Sequence, residues 1–377
     1  MSAQPINRPD YKQRQERLAT ILSRNNLDFL ALSPGPSLVY LTGLHFHMME
    51  RPVVALFSTS QPPAIVLPEL EAGKAAQASY PIQVFAYTEE PAGWIDIFKR
   101  AAQATNMNGK RVGVEPTRLR FLELRFLEAA AEAAQFLSAE EIIAEMRMRK
   151  DPNEITAMRK AVDIAQRGLQ ATLPAIKSGV TEREIASELT LQLLRAGAEP
   201  EFPFPPIVSG GPNAANPHAT PTLRPLQTGD LLVIDWGAAS DGYFSDLTRT
   251  FAIGEVSQEM QQLVSIVEAA NAAGRQAAGP GVAAGEVDRA ARKVIEDAGY
   301  GEYFIHRTGH GLGMEGHEAP YIRMDNPLIL ESGMTFTIEP GIYLPNRNGA
   351  RIEDDMVITE TGSESLSNLP RNLITLG

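Results

Sequence analysis

The first 150 residues alternate between short apolar runs and longer segments in which apolar residues recur every three or four positions. Short apolar runs predict strands, and the wider spacing predicts amphipathic helices. The predicted strands are 27–33, 38–41, 53–57, 64–67, 83–87 and 111–114, and the predicted helices are 8–24, 69–79, 94–107 and 119–134. Strands that alternate with helices indicate an α/β domain with a central sheet.

A domain boundary is predicted near residues 147–155. A basic run, MRMRK, ends there, and Asp151 precedes Pro152 with Glu154 three residues after the aspartate. Asp before Pro, with an acidic residue three positions on, is typical of a capped helix start. We therefore expect an α/β domain over 1–147 and a second domain over 148–377.

The second domain contains a repeated pattern of elements. Helices are predicted over 153–173 and 181–196, and then again over 258–277 and up to residue 298. The glycines that follow these helices recur at the same spacing, and each helix pair precedes a hairpin pattern. The repeat predicts an α+β domain with pseudo-twofold symmetry and a site between its halves. A chance likeness between two helical pairs is the alternative.

The first hairpin pattern, over 231–253, has its predicted turn at 239–242, where Asp241-Gly242 is the signal. Asp-Gly between two apolar runs is a strong hairpin signal. Counting back from that turn places Asp235 opposite Asp246. A bulge would change this register, so the pairing is an expectation.

The second hairpin pattern, over 335–359, turns around 345–349 and places Glu339 opposite Glu353. Like charges opposite each other destabilise a sheet. Four carboxylates in one place would also raise each other's pKa unless cations neutralise them. The two pairs therefore favour a site for two divalent cations, and solvent-facing pairs are the alternative.

Four of the six histidines lie in two unusual loops of the second domain. The run HRTGHGLGMEGHEAP holds three of them, and His310 stands between two glycines. Glycine lets a backbone approach a ligand closely. His218 lies in a tract with eight prolines between residues 200 and 225, which predicts a stiff functional loop.

Composition narrows the function classes. The chain has 377 residues, a net charge of −12 and no cysteine. The absence of cysteine excludes disulfides, thiolate metal sites and a cysteine nucleophile. The acidic charge argues against nucleic acid and anionic membranes as partners, and no apolar stretch predicts a membrane span. The polar N-terminus is unlike a secretory signal, so we expect a cytoplasmic location.

The donor set indicates metal-assisted hydrolysis. Four carboxylates with one histidine suit Mn(II), Fe(II), Co(II) or Zn(II) better than Ca(II). A two-metal centre of this kind activates water and polarises a carbonyl. No G-x-S-x-G, H-E-x-x-H or phosphate-loop motif is present to favour another chemistry.

Residues 152–361 resemble the pita-bread metallopeptidases, the family of Xaa-Pro aminopeptidase, prolidase and methionine aminopeptidase. The resemblance rests on SGGPNAANPHATP, VIDWGAASDGYFSDLTRT, HRTGHGLGMEGHEAPY, TIEPGIY and RIEDDMVIT. The N-terminal part, with YLTG at 40–43, resembles the creatinase-type domain of Xaa-Pro aminopeptidases and prolidases, which methionine aminopeptidases lack. The resemblance implies a pita-bread catalytic domain.

The resemblance also implies the ligand set and the roles of several residues. The implied metal ligands are Asp235, Asp246, His310, Glu339 and Glu353, with Asp246 and Glu353 bridging two divalent ions. Glu339 would also take the proton from the attacking water. His317 would hydrogen-bond the tetrahedral intermediate, His218 would lie near the scissile amide, and Arg351 would stabilise hydrogen bonds at the site.

The implied activity is hydrolysis of the bond between an N-terminal residue and a following proline in short peptides. The implied ions are Mn(II) first, with Co(II), Fe(II) and Zn(II) as alternatives, and the implied assembly is a homodimer. A related metal-dependent hydrolase or lyase of a small non-peptide amide or zwitterion is the alternative. Binding proteins on this fold lose the ligands, which are all present here.

Two positions depart from the family pattern. Gly316 stands before His317, where many members have an aliphatic residue. Tyr321 stands where dipeptide-specific prolidases often have an arginine that binds the substrate carboxylate, and Arg323 follows two residues later. This leaves longer Xaa-Pro peptides open beside dipeptides.

Overall fold

The chain folds into two compact units, Met1–Arg147 and Met148–Gly377. The structure is a computed structural model, and it describes residues 9–377. Within that range, no helix combines the length and the apolar character that crossing a membrane requires.

The first unit is built on a six-stranded mixed sheet with the order β4-β3-β2-β1-β5-β6. Its strands are β1 (Phe29–Leu32), β2 (Val54–Ser58), β3 (Ala64–Pro68), β4 (Gln83–Tyr87), β5 (Arg111–Val114) and β6 (Gln135–Ser138). Its helices are α1 (Tyr11–Arg24), α2 (Pro36–Thr42), α3 (Ala72–Ala75), α4 (Trp94–Thr105), α5 (Phe121–Ala130) and α6 (Glu140–Arg147). The pattern of strands and helices agrees with the predicted α/β layer.

One predicted strand of this unit is wrong. The apolar run 38–41 lies in α2, because Pro36 starts a helix and Gly43 ends it with a left-handed φ of 69°. The predicted helix 8–24 is observed as α1, and Arg8 lies outside the described residues. The pattern also missed β6 and α6, which are short and partly exposed.

The second unit has two main sheets, ordered β19-β11-β8-β7 and β13-β12-β14-β17-β18. Its helices are α7 (Pro152–Thr172), α8 (Glu182–Ala196), α9 (Gln258–Ala277) and α10 (Ala284–Asp297). Its strands are β7 (Ile207–Gly210), β8 (Leu231–Trp236), β9 (Ala239–Ser240), β10 (Tyr243–Phe244), β11 (Leu247–Ile253), β12 (Gly309–Gly311), β13 (Glu318–Ile322), β14 (Thr335–Ile338), β15 (Gly341–Leu344), β16 (Asn348–Arg351), β17 (Asp354–Ile358), β18 (Ser363–Ser365) and β19 (Ile374–Leu376).

The predicted repeat appears as two helix pairs, each followed by a hairpin. Helices α7 and α8 pack together, and so do α9 and α10. Asp151 and Thr181 each form a capping box at the start of α7 and α8, so these helices begin where the sequence predicts. The hairpins carry the predicted acidic residues toward the middle of the unit.

The register of the first hairpin corrects one expectation. Asp235 on β8 pairs with Thr248, and not with Asp246. The turn has the predicted length but lies one residue later in the chain, since Ser240 pairs with Tyr243. The shift is two residues, so side chains stay on the expected face of the sheet. Asp246 therefore lies immediately before the first residue of β11.

The second hairpin has the predicted register. Gly341 pairs with Arg351 in the outer ladder, and Ile338 pairs with Asp354 in the inner one. Glu339 and Glu353 lie between these two ladders. The hairpins meet where Thr248 forms an isolated bridge with Glu353. This bridge joins the two halves at the place where the acidic residues cluster.

The cap of α8 offers a test of the fold. In Thr181→Ala the hydroxyl that accepts from the Glu184 backbone N–H is lost. We expect a loss of about 1 kcal/mol in the free energy of unfolding, measured by urea denaturation. Thr181→Ser keeps the hydroxyl and is the matched control. Equal stability of the alanine variant and the wild type would show that this cap does not stabilise the helix.

Candidate metal centre

Five residues predicted as ligands converge in the second unit. Asp235 is on β8, Asp246 directly precedes β11, and His310 is the middle residue of β12. Glu339 follows β14, and Glu353 bridges to β11 and precedes β17. Each lies at or beside a strand of a paired sheet, so their backbones are held in place.

The imidazole of His310 faces two of the carboxylates. Its Nε2 lies 3.4 Å from Glu339 Oε1 and 3.7 Å from Asp246 Oδ2. Asp246, His310 and Glu353 each offer one ligand atom, and these atoms lie within 4.8 Å of one another. Such a cluster of oxygen and nitrogen donors has the spacing that a divalent cation requires.

The neighbouring backbone fixes the orientation of His310. Its Nδ1 lies 3.1 Å from the carbonyl oxygen of Gly311, and a carbonyl can only accept. The proton is therefore on Nδ1, and the lone pair of Nε2 points at the carboxylates. A hydrogen bond of this kind is what orients metal-binding histidines.

The glycines beside His310 have a different purpose from the expected one. A Cβ on Gly309 would lie 1.8 Å from Thr337 O, and one on Gly311 would lie 2.2 Å from Ala319 O. The backbone of β12 is therefore in close contact with the backbones of neighbouring segments. The glycines permit close contact with other strands and not with a ligand, and that contact positions His310.

Hydrogen bonds from neighbouring strands hold three of the carboxylate-bearing residues. Thr248 Oγ1 donates to Glu353 Oε2 at 2.6 Å, and Asp355 Oδ2 accepts from the Asp246 backbone N–H at 3.0 Å. Arg351 donates to Asp235 Oδ2 at 2.6 Å. The sequence analysis missed Thr248 and Asp355. The only sequence signal for Thr248 and Asp355 is that they lie within the motifs SDLTRT and IEDD, close to predicted ligands.

Burial raises the pKa of every predicted carboxylate ligand. The pKa values of Asp246 and Glu353 are well above the usual range because of burial and of the neighbouring carboxylates. Burial raises the pKa of Glu339 to about 7. Burial also raises the pKa of Asp235, although Arg351 opposes that change. In the protein alone, this cluster resists carrying its full negative charge.

The residues present fit divalent cations. Among residues 9–377, the buried Oδ1 atoms of Asp235 and Asp246 have no hydrogen-bond partner. A buried polar atom without a partner is costly, and cations would satisfy both oxygens while neutralising the cluster. Burial holds the pKa of His310 well below its usual value, so the imidazole is neutral and able to bind a metal.

The predicted catalytic histidines are both exposed, and His317 lies beside this cluster. The ring of His317 lies 3.9 Å from that of His310 between centroids. An Arg307 nitrogen lies 3.4 Å from His317 Nδ1, and because arginine only donates, Nδ1 accepts and Nε2 carries the proton. His218 is exposed on its loop, where its backbone N–H donates to Asn216 Oδ1 at 3.2 Å.

The proline-rich loop with His218 is fastened by a buried carboxylate that the sequence analysis missed. Glu182 accepts from Gly210 N at 2.8 Å and from the side chain of Asn213 at 2.9 Å. It also accepts from the backbone and the hydroxyl of Thr222, at 2.8 and 2.6 Å. The loop is therefore held at both of its ends by one side chain of α8.

Arg351 belongs to a buried chain of hydrogen bonds. Its guanidinium donates to Asp235 and, at 2.9 Å, to the hydroxyl of Tyr343. That hydroxyl lies 2.8 Å from His306 Nε2, and His306 Nδ1 lies 2.7 Å from the carbonyl oxygen of Arg307. These hydrogen bonds orient Asp235 through its Oδ2 atom. Tyr343 and His306 were not predicted.

Comparison with protein families matches both units. Residues 156–360 match Metallopeptidase family M24, and residues 14–149 match the Creatinase/Prolidase N-terminal domain. The first match covers more than half of the chain. The predicted family resemblance and the predicted combination of an α/β N-terminal domain with a pita-bread domain are confirmed.

Individual relatives agree with the family match. The chain is 35% identical over 366 residues to the Xaa-Pro dipeptidase of Lactobacillus delbrueckii subsp. lactis, covering 96% of this chain and 98% of the relative. The crystal structure of prolidase from Thermococcus sibiricus has a TM-score of 0.92 at 34% identity, covering 98% of this chain and all of the other. That of X-Pro aminopeptidase from Thermotoga maritima has a TM-score of 0.84 at 31% identity, covering 96% and 99%.

The raised pKa values lead to a prediction about cation binding. Burial raises the pKa of Glu339 to about 7, so this carboxyl group holds a proton at pH 6, and a cation must displace it; the pKa values of Asp246 and Glu353 are raised in the same direction. We expect Mn²⁺ binding to release on the order of one or two protons at pH 6 and fewer at pH 8. Calorimetric titration in buffers of different ionisation enthalpy measures this number. Release that does not fall with rising pH would contradict the charge state described for the cluster.

Proposed function

The chain belongs to metallopeptidase family M24, and from that premise we propose that it hydrolyses the peptide bond between an N-terminal residue and a following proline. The observation that carries the proposal is the buried cluster of Asp246, His310 and Glu353, joined by Asp235 and Glu339. The relatives named Xaa-Pro dipeptidase and prolidase support the same bond specificity. The catalytic domain of this proposal is 148–377, and the creatinase-like domain is 1–147.

The metal part of the proposal assigns two divalent ions to five side chains. Asp235, Asp246, His310, Glu339 and Glu353 would hold them, with Asp246 and Glu353 shared between the two ions. Divalent ions bound there would lower the pKa of a water molecule and polarise the scissile carbonyl. Mn(II) is our first candidate, with Co(II), Fe(II) and Zn(II) as alternatives, since the donor set admits all four.

The proposed reaction uses three further roles of this chain's residues. Glu339 accepts the proton of the attacking water and passes it toward the leaving nitrogen. His317 donates from Nε2 to the oxygen that becomes negative, a donor state supported by its hydrogen bond from Arg307. His218 lies on a fastened loop and reaches the scissile amide, while Arg351 keeps Asp235 in position.

The substrates proposed are short peptides with proline in second position. The alternative from the sequence, a small non-peptide amide or zwitterion, would use the same cations on another carbonyl. The cytoplasmic location and the homodimer expected from the sequence stay predictions, and light scattering tests the second of them.

A substrate panel tests the proposed activity. With added Mn²⁺ we expect release of the first residue from Xaa-Pro peptides, because the site is built to polarise an amide carbonyl, and no release from Xaa-Ala peptides of the same length. Amino-acid analysis of the products measures both. Absence of cleavage with Mn²⁺, Co²⁺ and Zn²⁺ alike would contradict the proposal and favour a non-peptide substrate.

The bridging residues are tested by substitution. We expect Asp246→Ala and Glu353→Ala each to lose both metal and activity, because each carboxylate would serve two ions. Elemental analysis and peptide hydrolysis measure the two effects. Asp241→Asn, on the exposed turn of the same hairpin, is the control and keeps both. Two full equivalents of metal in either alanine variant would refute the bridging role.

The proposed role of His317 predicts that its removal lowers turnover without loss of metal. His317→Ala should retain its metal, since His317 is not among the proposed ligands, and lose about 10²- to 10³-fold in kcat. Steady-state kinetics on a metal-replete protein measures this loss. Unchanged turnover would remove the role.

A further inference from the structure

Asn271 is a polar side chain inside the core of the second unit. It lies on α9 with the core residues Val267 and Ala270, and it is fully buried. A buried carboxamide costs free energy unless its polar atoms are hydrogen-bonded. The groups that Asn271 binds therefore indicate what this side chain does.

The repeat indicates that the fold itself does not require an amide here. Asn271 lies ten residues before Gly281, and the residue ten places before Gly179 in the first helix pair is Leu169. Leu169 lies on α7 and is buried in an apolar cluster. An apolar side chain is therefore sufficient at the corresponding position of the first helix pair, and the amide of Asn271 needs a separate explanation.

Arg275 fixes the orientation of the Asn271 carboxamide. Its Nε donates to Asn271 Oδ1 at 2.8 Å. Because arginine only donates, the atom that it contacts is the oxygen, and Nδ2 lies on the other side of the carboxamide. Nδ2 donates to the carbonyl oxygens of Ile338 at 3.0 Å and of Ile352 at 3.3 Å. Both donors of the side chain are therefore used.

These two carbonyls belong to the peptide groups that directly precede Glu339 and Glu353. The nitrogen of each peptide group is bound as well. The Glu339 N–H donates to Thr308 O at 2.7 Å, and the Glu353 N–H donates to Thr248 O at 3.1 Å. A peptide group is planar, so bonds at its oxygen and at its nitrogen fix the plane and the Cα atom that follows. Asn271 is a partner that the two groups share.

The pairing of the second hairpin is interrupted where these glutamates lie. The inner ladder ends with Ile338 opposite Asp354, and the outer ladder begins with Gly341 opposite Arg351. Between the two ladders, carbonyl oxygens from both strands bind the Asn271 amide. The amide therefore holds the two strands at a fixed separation in the stretch where neither ladder continues.

We propose that Asn271 is a positioning residue of the metal centre and sets the separation of Glu339 and Glu353. This inference rests on the proposed function, which assigns both glutamates as metal ligands. Metal ligands must be held within about 0.5 Å of their productive positions, and partners outside the ligand set supply that precision. Asn271 supplies it through the backbone, since it binds the peptide groups before both ligands.

The experiment measures how tightly the protein holds Mn²⁺ after replacement of Asn271. Asn271→Leu introduces the residue type of the first helix pair, and Asn271→Asp keeps the shape while it removes the amide donors. In both variants we expect the Kd for Mn²⁺ to rise about 10- to 100-fold, the usual effect of removing a residue that orients a metal ligand. Mn²⁺-loaded protein is equilibrated with a graded series of chelator concentrations, and elemental analysis measures the metal that stays bound.

Two further variants complete the design. Thr172→Val removes a buried hydroxyl of α7 that donates to Gly168 O at 2.9 Å, and it should lower the Tm without changing the Kd. Arg275→Met removes the bond that orients the carboxamide and leaves Asn271 in place, so it should raise the Kd by a smaller factor. Thermal melting of the Mn²⁺-loaded variants checks that each one is folded.

The outcomes separate this inference from the proposed function. A wild-type Kd in the folded Asn271 variants, or a rise that Thr172→Val shares, would mean that Asn271 only supports the fold, and would overturn the inference while the proposed function stands. If neither Asn271 variant folds, a wild-type Kd in Arg275→Met would overturn it. A wild type that holds no Mn²⁺ would overturn the proposed function and this inference with it.

Discussion

The concentration of negative charge between the two hairpins is the constraint on which the second unit depends. Asp246 and Glu353 are nearly fully buried, and burial together with the neighbouring carboxylates raises the pKa of both. Such a cluster opposes folding unless protons or cations neutralise it. The surrounding strands hold it nevertheless, through Thr248, Asp355 and Arg351. Sheets that hold repelling groups together in this way are organised to bind cations.

The sequence predicted this cluster well because strand pairing has a strict period. The second hairpin has the predicted register, so Glu339 and Glu353 come together as expected. In the first hairpin the register was off by two residues, and the error did no harm since it preserved the face of the sheet. The predicted helices of the second unit were also correct, since capping residues such as Asp151 and Thr181 mark their starts.

What the sequence did not show depends on contacts between distant segments. The run at 38–41 was predicted as a strand because it is apolar, although Pro36 and Gly43 enclose a helix. Glu182, on α8, fastens the His218 loop through bonds that span up to 40 residues. The placement of Arg307 over Tyr321 likewise follows from the tertiary fold. None of these contacts leaves a periodic signal in the chain.

The central claim is that five side chains hold two divalent ions between the hairpins. The most direct measurement is a crystal structure of the protein grown with Mn²⁺, with the ions located by their anomalous scattering at the manganese edge. The account predicts two peaks about 3.5–4 Å apart, with Asp246 and Glu353 contacting both. A single peak, or peaks away from these carboxylates, would contradict it.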